Sequence, residues 1–111
     1  MLRKLKFTIT ILLAPLFAYQ SWALEKVKVQ LVWVKQGEFH GIMNAVDRGF
    51  YRDEGLEVEV LAGGPDIRAQ MVVASGAAEF ATINPAGVIA ARSNEVPLVM
   101  VMQEHQDSYL A

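Results

Sequence analysis

The chain has 111 residues, no cysteine, and ten Lys or Arg against twelve Asp or Glu, for a formal net charge of −2. Without cysteine it has no disulfide, no thiolate nucleophile and no site for lipid attachment through an N-terminal cysteine. The acidic balance argues against a nucleic-acid or anionic-membrane partner, since both need a basic face.

The first segment has the three parts of a secretory signal peptide. Arg3, Lys4 and Lys6 form a positive start, and Phe7 to Tyr19 is an apolar run broken only by Thr8, Thr10 and Pro15. Ser21 and Ala23 then place small residues before a cut after Ala23. The run is shorter than the ~20 residues a membrane-spanning helix needs. An uncleaved anchor or an ordinary N-terminal helix is the other reading. Cleavage removes three basic residues and no acidic one, so residues 24–111 carry seven basic against twelve acidic side chains, net −5. The expected location is the periplasm.

Val27 to Val34 starts with strict alternation and ends apolar on both faces, which predicts a strand. Phe39, Ile42, Met43, Val46 and Phe50 follow the spacing of a buried helical stripe, with Gly49 at its end. Leu56 to Leu61 alternates again, with Glu57 and Glu59 on the polar face, as near a sheet edge. Gly63-Gly64-Pro65-Asp66 is a turn, with Asp66 as the expected N-cap of a helix whose face carries Ile67, Met71 and Ala74 and which stops at Gly76. Phe80 to Ile83 is a short strand. Asn84-Pro85 pairs a capping residue with proline at the first helical position, and Val88, Ile89 and Arg92 carry that helix to Asn94. Pro97 to Met102 is apolar on both faces, as a central parallel strand is.

The predicted order is β-α-β-α-β-α-β, an α/β fold with a parallel sheet. In such sheets ligands bind beyond the carboxyl ends of the strands. Four loops are expected there: Lys35–Glu38, Ala62–Asp66, Ile83–Pro85 and Gln103–Ser108.

Those loops hold the candidate chemistry. Gly63 and Gly64 let backbone approach a ligand closely, ahead of a helix N-terminus that suits an anion or carbonyl; a plain capped turn is the alternative. Asn84 either caps its own helix or turns toward a ligand. Trp33 either stacks on a flat ligand or joins the apolar face of Val27, Val29 and Leu31. His40, near Gln36 and Glu38, has no partner at metal or catalytic spacing, and a solvated histidine or a single ligand hydrogen bond fits it better. No nucleophile elbow, zinc helix, phosphate-binding loop or dinucleotide fingerprint is present. The residues therefore indicate neither an enzyme nor a cofactor or metal.

The segment from Leu31 to Gly41, with Trp33, Gln36, Phe39 and Gly41 in place, resembles the first loop of the SsuA/THI5-like (NMT1-type) substrate-binding proteins. Gly49-Phe50-Tyr51, the acidic Asp53-Glu54 and Gly55-Leu56-Glu57-Val58 resemble the same family's next signature, and Gly63-Gly64-Pro65 and Ala81 to Pro85 fall on later ones. The resemblance covers nearly all of residues 27–104. It implies lobe 1 of a two-lobed type II periplasmic-binding-protein fold, incomplete here, in the solute-binding component of an ABC importer. The implied partners are a small-molecule ligand (sulfonate, nitrate or a thiamine-pyrimidine precursor) and an ABC permease. By resemblance, Trp33, Gln36, Phe39, Gly64, Asn84 and Gln103 line the site: Trp33 stacks, Gln36 and Asn84 hydrogen-bond, and Gly64 offers its backbone N–H.

Two other functions share the pattern. One is a pyrimidine-precursor synthase of the same fold, whose fungal members carry a consumed histidine two residues before the first-loop glycine; here that position is Phe39, and His40 directly precedes Gly41. The other is a small stand-alone α/β interaction module, which sits awkwardly with a last strand apolar on both faces and three helices to cover a sheet. Residues 24–111 alone are expected to be marginally stable.

Overall fold

The computed structural model describes residues 23–104. The expected signal peptide before Ala23 and the far part of the Gln103–Ser108 loop lie outside the described residues. Among the described residues no helix is long and apolar enough to cross a membrane.

One strand organises the sheet. β1 (Glu25–Gln30) pairs in parallel with β2 (Leu56–Leu61) along its whole length, from Glu25 opposite Leu56 to Gln30 opposite Leu61. On its other edge it pairs in parallel with β3 (Phe80–Ala81), Val29 opposite Phe80 and Gln30 opposite Ala81. The order is β2-β1-β3. Parallel neighbours need crossovers, and helices supply them. A 3-10 turn (Gly37–Phe39), α1 (His40–Asp47) and α2 (Phe50–Asp53) lead from β1 to β2; α3 (Ala69–Ala74) leads to β3, and α4 (Pro85–Ser93) follows it. This is the expected α/β class with a parallel sheet.

β3 is two residues long, yet side chains extend its pairing at both ends. Before it, the Glu79 backbone N–H donates to the Lys28 carbonyl at 3.1 Å, and the Lys28 N–H donates to the Glu79 carboxylate at 2.6 Å. After it, the Thr82 N–H donates to the Gln30 carbonyl at 3.0 Å, and the Val32 N–H donates to the Thr82 hydroxyl at 2.9 Å. β1 therefore keeps ladder-like bonds on its β3 edge well beyond the two paired residues.

Several expectations hold in detail. Glu57 and Glu59 are exposed and alternate with half-buried Leu56, Val58 and Val60 on a true edge strand. Asn84 caps α4 through its side-chain oxygen, which accepts the Gly87 N–H at 2.6 Å, with Pro85 at the first turn. Gly49 ends α1 in the left-handed region, with φ 78.

Others are corrected. The first strand is Glu25–Gln30, not Val27–Val34, because the chain bends after Leu31 as it meets the loop that follows β2. Asp66 caps nothing: α3 begins at Ala69, and its N-cap position is Arg68 with no side-chain cap bond. The inward face of α3 is set by buried Ala69, whereas Ile67 and Met71 are exposed. Pro97–Met102 forms no strand in the described structure. Leu98 alone is buried there, and Val99 to Met102 stand exposed, because among the described residues the run pairs with none of the three strands of the sheet.

The helix ends contain an internal comparison. After α3, the Gly76 N–H donates to the Val73 carbonyl and the Ala77 N–H to the Val72 carbonyl, with Gly76 at φ 77. This double bond pattern requires a left-handed residue. After α4 the same pattern recurs, Glu95 N–H to Arg92 and Val96 N–H to Ala91, but the left-handed residue is Glu95, at φ 60. A side chain in that region costs roughly 1–2 kcal/mol. Glu95→Gly is therefore expected to raise stability by about 1 kcal/mol, read as a higher urea midpoint at unchanged slope; an unchanged or lower midpoint contradicts it.

Gly63 shows the opposite constraint. A Cβ there would lie 2.7 Å from both the Trp33 nitrogen and the Val32 carbonyl carbon, and closer still to the Leu31 carbonyl oxygen. All three are backbone atoms and none can swing away. Gly63→Ala is expected to lose about 3 kcal/mol, measurable in the same unfolding experiment, and a loss under about 0.5 kcal/mol would show that the two loops separate freely.

Candidate functional site

Because the strands are parallel, their carboxyl ends share one edge of the sheet. Three loops leave from it: Leu31 to Phe39 after β1, Ala62 to Arg68 after β2, and Thr82 to Asn84 after β3. They are bonded to one another. The Leu31 N–H donates to the Leu61 carbonyl, and the Gly63 N–H to the Trp33 carbonyl, both at 2.9 Å. The Gln30 side chain, 5 % exposed, donates its amide to the Leu31 carbonyl at 2.9 Å and the Ala62 carbonyl at 3.1 Å. Thr82 holds the other side through its bond from Val32. Leu31, wholly buried, lies beneath this junction.

Trp33 and Val34 emerge from the junction 42 % and 44 % exposed. Trp33 thus does not join the buried face of β1. Its backbone is held by the Gly63 N–H while much of its indole meets solvent. Gln36 is exposed and extended, directly before the 3-10 turn; its carbonyl accepts the Phe39 N–H at 3.0 Å, and its side chain does not cap the turn. Phe39 is buried and anchors the end of the first loop.

Gly64 is buried, with open space where a Cβ would stand, and its carbonyl accepts the Ile67 N–H at 3.1 Å. Of the glycine pair, Gly63 serves the chain's own close approach and Gly64 is the one facing space. The pair does not open directly onto a helix N-terminus, since α3 starts at Ala69. Asn84 is exposed, with its oxygen committed to the helix cap. Gln103 is exposed on the segment beyond Leu98, one residue before the last described one. The first three loops are therefore joined at one edge and carry Trp33, Gln36, Phe39, Gly64 and Asn84.

The strand reading gives Gln30 and Thr82 no role, yet both tie the loops together. The one available signal is an uncharged polar residue inside each apolar stretch. His40 is the exposed first residue of α1, and among the described residues no group of three or more His, Asp or Glu is placed to hold a metal. The arrangement offers an aromatic face, amide groups and backbone polar groups at the rim of a sheet. That set suits recognition of a flat polar ring.

A sequence model of the family described as "NMT1/THI5 like" matches residues 36–111. The chain is 33% identical over 101 residues to the formylaminopyrimidine-binding protein of Halalkalibacterium halodurans, an alignment covering 84% of this chain and 31% of that protein. The chain thus spans about a third of that relative's length. No solved structure matches it significantly. A family match over more than half the chain, together with the parallel α/β sheet, shows that the chain belongs to the NMT1/THI5 like family.

Proposed function

We propose that this chain provides one wall of a binding site for a small pyrimidine-type ring, within the solute-binding component of an ABC importer. The observation that carries the reading is Trp33, held by its backbone at the junction of three loops while much of its indole stays open to solvent. A rigidly held aromatic face binds a flat ring at little cost in ordering. The name of the relative, a formylaminopyrimidine-binding protein, points to the same class of ring.

In this reading Trp33 stacks on the ring and Gln36 hydrogen-bonds to its edge. Asn84 contributes its amide N–H groups, since its oxygen caps α4. Gly64 offers its backbone N–H, Phe39 backs the first loop from within, and Gln103 closes the rim. Binding rather than chemistry is favoured because the position two residues before Gly41 is Phe39, a buried side chain with no group to react.

Residues 1–23 direct export to the periplasm, and residues 24–111 form part of the first lobe. The exposed run Val99 to Met102 supports that division, since so much apolar surface fits chain meant to be covered by more protein. A membrane permease is the downstream partner.

Titration calorimetry and thermal shift on the full-length protein test the reading. A formylaminopyrimidine is expected to bind and raise the melting temperature, by ~2.7 kcal/mol of stabilisation at a hundredfold excess over Kd, while nitrate and an alkanesulfonate do neither. Trp33→Ala should weaken binding about tenfold, the worth of an aromatic contact, with Trp33→Phe within a few-fold of wild type. Preference for nitrate or sulfonate, or full affinity in Trp33→Ala, would reject it. Slow consumption of a histidine would instead mark a synthase.

A further inference from the structure

We infer that Gln30 and Thr82 are positioning residues for the binding edge: they fix the first loop, and with it Trp33, from opposite sides through side-chain hydrogen bonds. The inference rests on the binding reading for the identity of the ligand, and on the structure alone for the positioning.

The geometry is that of a clamp. β1 ends at Gln30, and the backbone of Leu31, Val32 and Trp33 then runs between the loop after β2 and the start of the loop after β3. On the β2 side, Gln30 donates to Leu31 and Ala62 carbonyls that belong to two different loops. On the β3 side, the Thr82 hydroxyl accepts from Val32, again joining two loops. Gln30 is buried and Thr82 half-buried, so these three bonds are shielded from competing water. Removing one partner strands the other as an unpaired polar group. Trp33 is the next residue in the chain after Val32, so slack at either bond is passed to its indole.

The opposite end of β3 supplies the control. Glu79 also accepts a side-chain bond, from the Lys28 N–H, but this one is exposed and lies at the amino-terminal side of the sheet, away from the loops. If Thr82 merely stabilised the sheet, loss of either bond would lower stability without moving Trp33.

The experiment uses the full-length protein labelled with 5-fluorotryptophan, the Trp33 fluorine resonance being assigned by its absence in Trp33→Phe. Thr82→Val, which loses one hydrogen bond, is expected to shift or broaden that resonance and to weaken formylaminopyrimidine binding about tenfold; Gln30→Met, which loses two, should do the same at least as strongly. Thr82→Ser, which keeps the hydroxyl, and Glu79→Ala, which loses a bond at the far end, should match wild type in both. An unmoved Trp33 resonance in Thr82→Val and Gln30→Met, or an equal change in Glu79→Ala, overturns the inference. Amide exchange on the unsubstituted chain provides a check that needs no variant: Val32 should be protected, and rapid exchange there also overturns it. If the resonance responds as expected but the wild type binds no pyrimidine, positioning stands and the pyrimidine reading fails.

Discussion

The fold depends on a central parallel strand having both edges bonded. The N–H groups of β1 alternate between its two neighbours, so each side must supply acceptors at every second residue. β2 does so with backbone over six residues. β3 supplies two residues, and the Glu79 carboxylate and Thr82 hydroxyl take the N–H groups that lie beyond its ends. Side-chain oxygens thus substitute for missing strand. The same requirement forces helices between the strands, because parallel neighbours cannot be joined by a tight hairpin. It also brings three loops to one edge of the sheet.

At that edge, contacts within the protein and the proposed contacts with a ligand share the same few residues. Gly63 is small so that the second loop can lie against Leu31, Val32 and Trp33. Its neighbour Gly64 faces open space instead. Gln30 and Thr82 spend their polar groups inside the protein, and Trp33 emerges beside them. Rigidity beneath an exposed aromatic ring is what a small-ligand site requires, since every loop ordered in advance is one that binding need not order.

The sequence was most legible where structure is decided locally. Asn84 before Pro85, the stops at Gly49 and Gly76, and the Glu57 and Glu59 alternation on β2 each depend on a few adjacent residues, and each appears as read. The misreadings share a different cause. The strand expected over Val27 to Val34 follows the alternation of Val27, Val29 and Leu31, but it ends at Gln30, where the chain turns against the close approach of Gly63. Asp66 is a good cap in isolation, yet the turn at Gly64 delays the helix to Ala69. Pro97 to Met102 has every property of a buried strand, and a strand needs a neighbour that local sequence does not contain. Gln30 and Thr82 were invisible as loop ties because their partners lie about thirty and fifty residues away. Periodicity has no access to contacts at that range.

The register of β1 also governs when the protein can fold. Glu25 meets Leu56, and Val29 meets Phe80, so the first of the described strands to leave the ribosome waits about thirty residues for its first partner and about fifty for its second. It has no hairpin to nucleate on, and its second edge stays open until the chain has grown past Ala81. Folding is then limited by the search for distant contacts rather than by local structure, the regime in which folding rates are low. A nascent chain of this kind holds its apolar β1 residues unpaired at least until β2 has emerged, and that interval is open to any factor that binds extended segments.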